Sequence, residues 1–140
     1  MEFISRYIWQ IDKNSQVFFA NRLKNFRIGN GQLPMLMLLY NYRGLLNQEE
    51  ISQRLNIDKA ATARAVRILL EAGLISRQAD PHDRRMFRIS LTDKAHDLRG
   101  IFFNIVDEWH IIILNGFLKD DKEILLKYLE QMKNNSENYK

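Results

Sequence analysis

Residues 47–92 read NQEEISQRLNIDKAATARAVRILLEAGLISRQADPHDRRMFRISLT, and this stretch decides the fold. Asn47 with Glu50 three residues on is a variant of the capping box, and Ile51 and Leu55 form an apolar i, i+4 pair behind it. A short helix of about two turns follows. Asp58 can cap another helix only a few residues later, running to Ala72 and ended by Gly73, a residue suited to the left-handed conformation. Two capped helices separated by Asn56 and Ile57 predict a helix-turn-helix over 47–73. The period then changes. Leu74, Ile75 and Arg77 lead into the turn-rich run Gln78 to Asp83, after which Phe87, Ile89 and Leu91 alternate with Met86, Arg88 and Ser90. That alternation predicts a β-hairpin wing over 74–91.

Working outward, apolar residues at Phe3, Ile4, Ile8, Ile11, Phe18, Phe19, Leu23 and Phe26 keep a helical period and stop before Gly29-Asn30-Gly31. The first helix is therefore long and one-sided. Leu33 to Tyr42 reads as a second, with Pro34 tolerated in its first turn and Gly44 just past its end. Beyond the wing, Thr92 caps a fifth helix whose apolar stripe runs from Ala95 and Leu98 through Ile105 and Trp109 to Ile113. Asp120 or Asp121 is expected to cap a sixth, carrying Ile124, Leu125, Tyr128, Leu129 and Met132, and the polar tail after Lys133 to fray. The expected fold is mainly α with a small β-hairpin wing, a winged helix-turn-helix with long N- and C-terminal dimerisation helices. It forms one domain over 1–140, divided into dimerisation helices over 1–30 and 92–140 and a DNA-binding part over 31–91.

The chain has 140 residues and no cysteine, which excludes disulfides, thiolate metal sites and cysteine nucleophiles. The opening MEFISRYIWQIDKNSQ has no basic region followed by an unbroken apolar stretch, so the expected location is the cytoplasm, with no membrane partner. The net charge of +4 is unevenly spread: six basic residues face two acidic ones up to Leu46, and seven face nine after Leu91. Seven of the twelve arginines fall between Arg54 and Arg88, with Lys59 the only lysine among them. Arginine offers a planar fork of donors matched to phosphates and guanine edges, so this bias points toward nucleic acid more than toward a merely solvated surface.

On the fourth helix, Thr62, Ala65, Val66 and Leu69 cluster on one side at 100° per residue, while Ala60, Ala63, Arg64 and Arg67 fall on the other, with Ala61 and Ile68 at the margin. The first face is expected to pack on the core. The second admits close approach to a groove, where alanine methyls can touch thymine methyls and Arg64 can reach guanine or phosphate.

With these residues in place, the chain resembles the MarR family of bacterial regulators over nearly its whole length. The marks are IDKAATARAVRILLEAGLISR for the recognition helix and first strand and DPHDRRMFRISLT for the wing, where Asp83, Arg85, Leu91 and Thr92 match the family's D-x-R and Leu-Thr pattern. The resemblance implies that the fourth helix enters the major groove and that Arg85 reaches the adjacent minor groove, whose narrow A·T-rich form attracts a guanidinium. It implies that Asp83 holds the wing in shape by pairing with a neighbouring arginine such as Arg77, and that Arg84 and Arg88 meet phosphates. The DNA-binding set is then Lys59, Ala60, Ala61, Ala63, Arg64, Arg67, Arg84, Arg85 and Arg88. The chain departs from the family where many relatives carry Ser or Thr at the positions of Ala60, Ala61 and Ala63. Thr62 stands where valine is common, Ile68 where a basic residue is, and Ala95 where glycine is.

Other chemistry is thinly represented. His82, His96 and His110 make no compact ligand spacing, and no metal or cofactor is expected. There is no Gly-rich phosphate loop and no credible triad, so an enzyme is not expected. Relatives bind small aromatic or phenolic molecules in a cleft beside the dimerisation helices, which makes Tyr7, Trp9, Phe18, Tyr40 and Arg43 the candidate pocket residues. The expected protein is a homodimeric regulator that binds a pseudo-palindromic double-stranded operator, a repressor released by a small ligand. The alternative is a winged-helix interaction module without specific DNA binding, which the alanine-rich face favours.

Overall fold

A computed structural model describes residues 3–139. They fall into two compact units that divide after Ile105.

The first unit begins with α1 (Ile4–Leu23), which tightens into a 3-10 turn at Lys24–Phe26. Only Phe19 and Leu23 of α1 are buried; Ile4, Ile8, Ile11 and Val17 are all exposed. Next, α2 (Leu33–Asn41) begins with Pro34 in its first turn and buries Leu33, Met35, Leu36 and Leu39. Leu46 and Asn47 then form β1, a two-residue strand that the sequence reading did not foresee.

Asn47 serves twice, as the end of β1 and as the cap of α3 (Gln48–Leu55). Its side chain accepts the Glu50 N–H at 2.8 Å, and the Glu50 carboxylate accepts the Asn47 N–H at 3.1 Å, which completes the box. Asn56 closes α3 in the left-handed region at φ 53°. Asp58 caps α4 (Lys59–Glu71) by accepting the Ala61 N–H at 2.7 Å.

Between α3 and α4 lies a buried polar contact in an otherwise apolar seam. The Ser52 and Thr62 hydroxyls meet at 2.6 Å, and each also lies 3.0 Å from a carbonyl of its own helix, Gln48 and Asp58. With one proton each, the two hydroxyls can donate along two of these three contacts at a time, and among the described residues no buried side-chain oxygen lacks a partner. A buried polar contact of this kind fixes one crossing of the two helices where aliphatic packing alone would tolerate several.

The end of α4 is fastened as the sequence predicts, with added support from α5. Gly73 takes φ 74°, and the Leu74 and Gly73 N–H groups bond back to the Leu69 and Leu70 carbonyls, each at 3.0 Å. The Lys94 ammonium donates to the Ala72 carbonyl at 2.8 Å and the Thr92 hydroxyl to that of Gly73 at 2.7 Å. Thr92 also accepts the Ala95 N–H at 3.2 Å, so the residue expected to cap the fifth helix does so.

Strands β2 (Ile75–Ala79) and β3 (Phe87–Leu91) pair antiparallel, with Ile75 opposite Leu91 and Gln78 opposite Arg88. Strand β1 adds to the other side of β3, giving the order β1-β3-β2. The wing is therefore the outer hairpin of a three-stranded sheet. The core beneath it holds Leu36, Leu46, Ile51, Leu69, Leu74 and Ile89, each no more than 1% exposed. From the long helix α5 (Asp93–Ile113), Phe102 enters the same unit and meets the Phe26 ring edge-on at 5.1 Å. Tyr40 ties α2 to α5 by donating its hydroxyl to the Ala95 carbonyl.

The second unit comprises the end of α5, a turn with Gly116 at φ 86°, and α6 (Lys119–Glu137). Two expectations are corrected here. The residue preceding α6 is Leu118, and Asp121 acts from inside the first turn, accepting the Leu118 N–H at 3.2 Å. The tail does not fray after Lys133, because α6 continues to Glu137, and the Ser136 hydroxyl donates to the Lys133 carbonyl at 2.6 Å. No residue of α6 is buried. No helix among the described residues is long and apolar enough to cross a membrane.

Candidate nucleic-acid interface

The inner face of α4 is the one expected: Thr62, Ala65, Val66 and Leu69 are buried. Their burial turns Lys59, Ala60, Ala63, Arg64 and Arg67 outward, and all five are exposed, while Ala61 is half-buried behind its own cap. The helix meets α3 through the Ser52–Thr62 contact, and Asn56 and Asp58 fix the turn between them. A protruding helix held at both ends in this way presents its side chains from a rigid base.

The wing carries the second group of cations. Its loop is built around two aspartates that act mainly through backbone bonds. Asp80, 8% exposed, accepts the His82 N–H at 2.8 Å and the Arg88 Nε–H at 3.1 Å. Asp83 accepts the Arg85 N–H at 3.0 Å, and its carbonyl accepts that of Met86 at 3.1 Å. The ion pair that braces the wing is thus Asp80–Arg88, where the expectation was Asp83 with Arg77. Arg77 instead lies over the Phe87 ring, 5.3 Å from its centroid. Register explains the exchange. Gln78 is opposite Arg88, so Asp80 falls diagonally from Arg88 on the same face, whereas Arg77 is opposite Ile89 on the other. With its Nε spent on Asp80, Arg88 serves first as a brace. Arg84 and Arg85, by contrast, are exposed at the wing tip.

The His82 N–H, and then the Arg88 guanidinium, hold the Asp80 carboxyl below the ordinary carboxylate range against the opposing effect of burial. A depressed folded pKa means that this support is complete above the ordinary carboxylate pKa and is lost as the pH falls through the lowered one. In Asp80→Asn, wing amides are expected to exchange with solvent severalfold faster than in wild type at pH 7. The gap should close in acid, where the wild-type carboxyl also loses its charge. Equal exchange at neutral pH would show that the pair does not brace the wing.

Two small hollows, of about 200 and 210 Å³, flank the start of α3. Gln48 and Glu49 line both, with Arg85, Met86 and Phe87 on one side and Ser52 and Lys59 on the other. The sequence reading passed over Gln48, although its place directly after the Asn47 cap puts it in the first turn of the helix-turn-helix. Arg54, counted among the arginines of this region, stacks on Tyr42 at 4.5 Å.

The candidate pocket residues are placed as follows. Tyr7 and Trp9 are 52% and 65% exposed on α1, Phe18 packs edge-on to Phe19 at 5.2 Å, and Arg43 is exposed after α2. Tyr40 packs against Phe103 at 5.7 Å, with Arg99 4.4 Å above the Phe103 ring. Burial pushes the Tyr40 hydroxyl up to about 12 against the opposing charge of Arg99, so it stays a donor to Ala95 at any physiological pH. Among the described residues, no three of His, Asp and Glu are grouped to hold a metal ion.

A family model described as the MarR family matches residues 28–87, the whole of the helix-turn-helix and most of the wing. The HTH-type transcriptional regulator BilQ of Clostridioides difficile (strain CD3) is 28% identical over 132 residues, covering 94% of this chain and 88% of that protein. A MarR transcriptional regulator from Methanosarcina mazei Go1 is similar in structure, with a TM-score of 0.89 at 36% identity over 97% of both chains. MepR of S. aureus, in a structure described as a MepR–DNA complex, gives 0.86 at 25% identity over 96% of this chain and 99% of that one.

Proposed function

The chain belongs to the MarR family of transcriptional regulators, and from that premise we propose that it binds a pseudo-palindromic DNA operator as a homodimer and represses transcription from it. The observation that carries this reading is the pairing of two exposed cationic elements on one scaffold. Helix α4 presents Lys59, Arg64 and Arg67 beside small residues, and the braced wing presents Arg84 and Arg85. The helix is of a size to enter a major groove. The wing-tip guanidinium of Arg85 suits the narrow minor groove beside it. The resemblance to a protein solved on DNA supports the same assignment. Release by a small ligand is the finer part of the proposal. Its support is the half-buried ring pair of Tyr40 and Phe103 with the exposed Arg99 guanidinium over it, a cation beside two rings that suits an anionic aromatic molecule.

The test begins with an operator selected from a random duplex pool. On that operator, Arg64→Ala and Arg85→Ala are each expected to cost about 1–3 kcal/mol per half-site and to relax the sequence preference where the contact was lost. Binding to random duplex should change far less. Arg88→Ala should instead loosen the wing as Asp80→Asn does. If Arg64→Ala and Arg85→Ala weaken operator and random DNA equally, neither residue reads a groove.

A further inference from the structure

The outward face of α4 is complete enough to ask which bases it can tell apart. Between Lys59 and Glu71 the helix has one hydroxyl, that of Thr62, which is fully buried and engaged with Ser52 and the Asp58 carbonyl. Asp58, the cap that precedes the helix, gives Oδ1 to the Ala61 N–H and keeps Oδ2 as an exposed acceptor at the helix start. Glu71 shares the outward face but lies about 16 Å along the axis from Ala60, at the far end from the turns that reach base edges in a helix-turn-helix. Over those turns the face therefore offers donors, Lys59, Arg64 and Arg67, and methyl groups, Ala60 and Ala63. Among the described side chains of α4 that point outward there, none accepts a hydrogen bond.

This inventory limits the readout. In the major groove guanine shows two acceptors, adenine an acceptor and an amine, cytosine an amine, and thymine an acceptor and the C5 methyl. A donor-only face can select guanine through arginine, but beyond the Asp58 cap it has nothing to receive the amine of cytosine or adenine. Over Ala60 and Ala63 the mark left to single out a base is the pyrimidine C5 methyl. Ala60 and Ala63 are short enough to let the backbone come close to it.

Resting on the DNA-reading role proposed above, we infer that α4 recognises the C5 methyl group of pyrimidines, so that its ligand there is a 5-methylpyrimidine, either thymine or 5-methylcytosine. Operator affinity then depends on DNA methylation as well as on sequence. Alanine makes no demand on the substituent at C4, and a methylated cytosine carries its methyl where thymine does.

The test compares bases that differ only in that methyl. In the selected operator, each thymine is replaced in turn by deoxyuridine. Affinity should fall about fourfold for each contacted methyl removed, the worth of one buried carbon. At the same positions, 5-methylcytosine should bind better than cytosine by a similar factor. Deoxyuridine under the wing should have no effect, because the minor groove does not display C5. In Ala60→Gly or Ala63→Gly, thymine and deoxyuridine should bind alike at the position that alanine contacts, and the wild-type comparison stands even if either variant is unstable. Tight, sequence-selective binding that survives full deoxyuridine substitution would overturn methyl reading and leave the regulator intact. Failure to prefer any duplex sequence would overturn both.

Discussion

Raising monovalent salt from about 50 to about 200 mM is expected to weaken operator binding about a thousandfold. The reason lies in how the cations are placed. Lys59, Arg64 and Arg67 on α4 and Arg84 and Arg85 on the wing are exposed, whereas Arg88 is half-buried and paired with Asp80. If about three of the five in each protomer meet phosphates, a dimer displaces about six counterions, and log affinity falls against log salt with a slope near −5. Anisotropy titrations on operator and random duplex at several salt concentrations measure it. Arg67→Ala, which removes one cation per protomer, should reduce the slope by about 2. A flat response would instead favour the winged-helix interaction module that the alanine-rich face first suggested.

The elements that were legible in the sequence are those whose ends carry their own chemistry. Asn47 with Glu50, Asp58, Gly73 and Thr92 each announce a helix end through a bond that the residue type makes locally, and each is found in that role. The outward face of α4 followed from periodicity alone. What escaped depends on partners distant in sequence. Strand β1 has two residues and exists only because Leu46 lies opposite Ile89 across the sheet, a pairing that no local pattern encodes. The wing brace was misassigned because two acids and four arginines lie within twelve residues, and only the register decides which of them share a face. The end of α6 was misread for another reason. Asn134, Asn135 and Ser136 are weak helix formers, so propensity argued for fraying, yet the helix runs through them.

The second unit leads to the other large effect. Helix α6 has 19 residues and none buried, and Ile124, Tyr128, Leu129 and Met132 form one apolar stripe along it, each at least 39% exposed. A helix of this length gains little from propensity alone and needs an apolar surface to lie against. The same unit exposes Ile111, Ile112, Phe117 and Leu118, and holds a hollow of about 390 Å³ lined by Phe117, Ile124, Leu125 and Tyr128 among others. An apolar patch of this extent is more than soluble monomers usually tolerate. A second copy across a two-fold axis would cover it and bury more than about 2,000 Å² in all, as obligate dimers do. A charge in the stripe is the test, and its position matters. Ile105 belongs to the stripe in sequence but is 3% exposed in the first unit, so a charge there would break a core and leave the interface untried. Leu129, 48% exposed, is the better choice. Wild type is expected to sediment as a dimer at micromolar concentration. Leu129→Glu should sediment as a monomer or an aggregate and lose specific operator binding, since one protomer reaches only one half-site. A well-folded wild-type monomer would refute the dimer, and α6 would then have to hold its 19 residues in a helix with no surface to bury against.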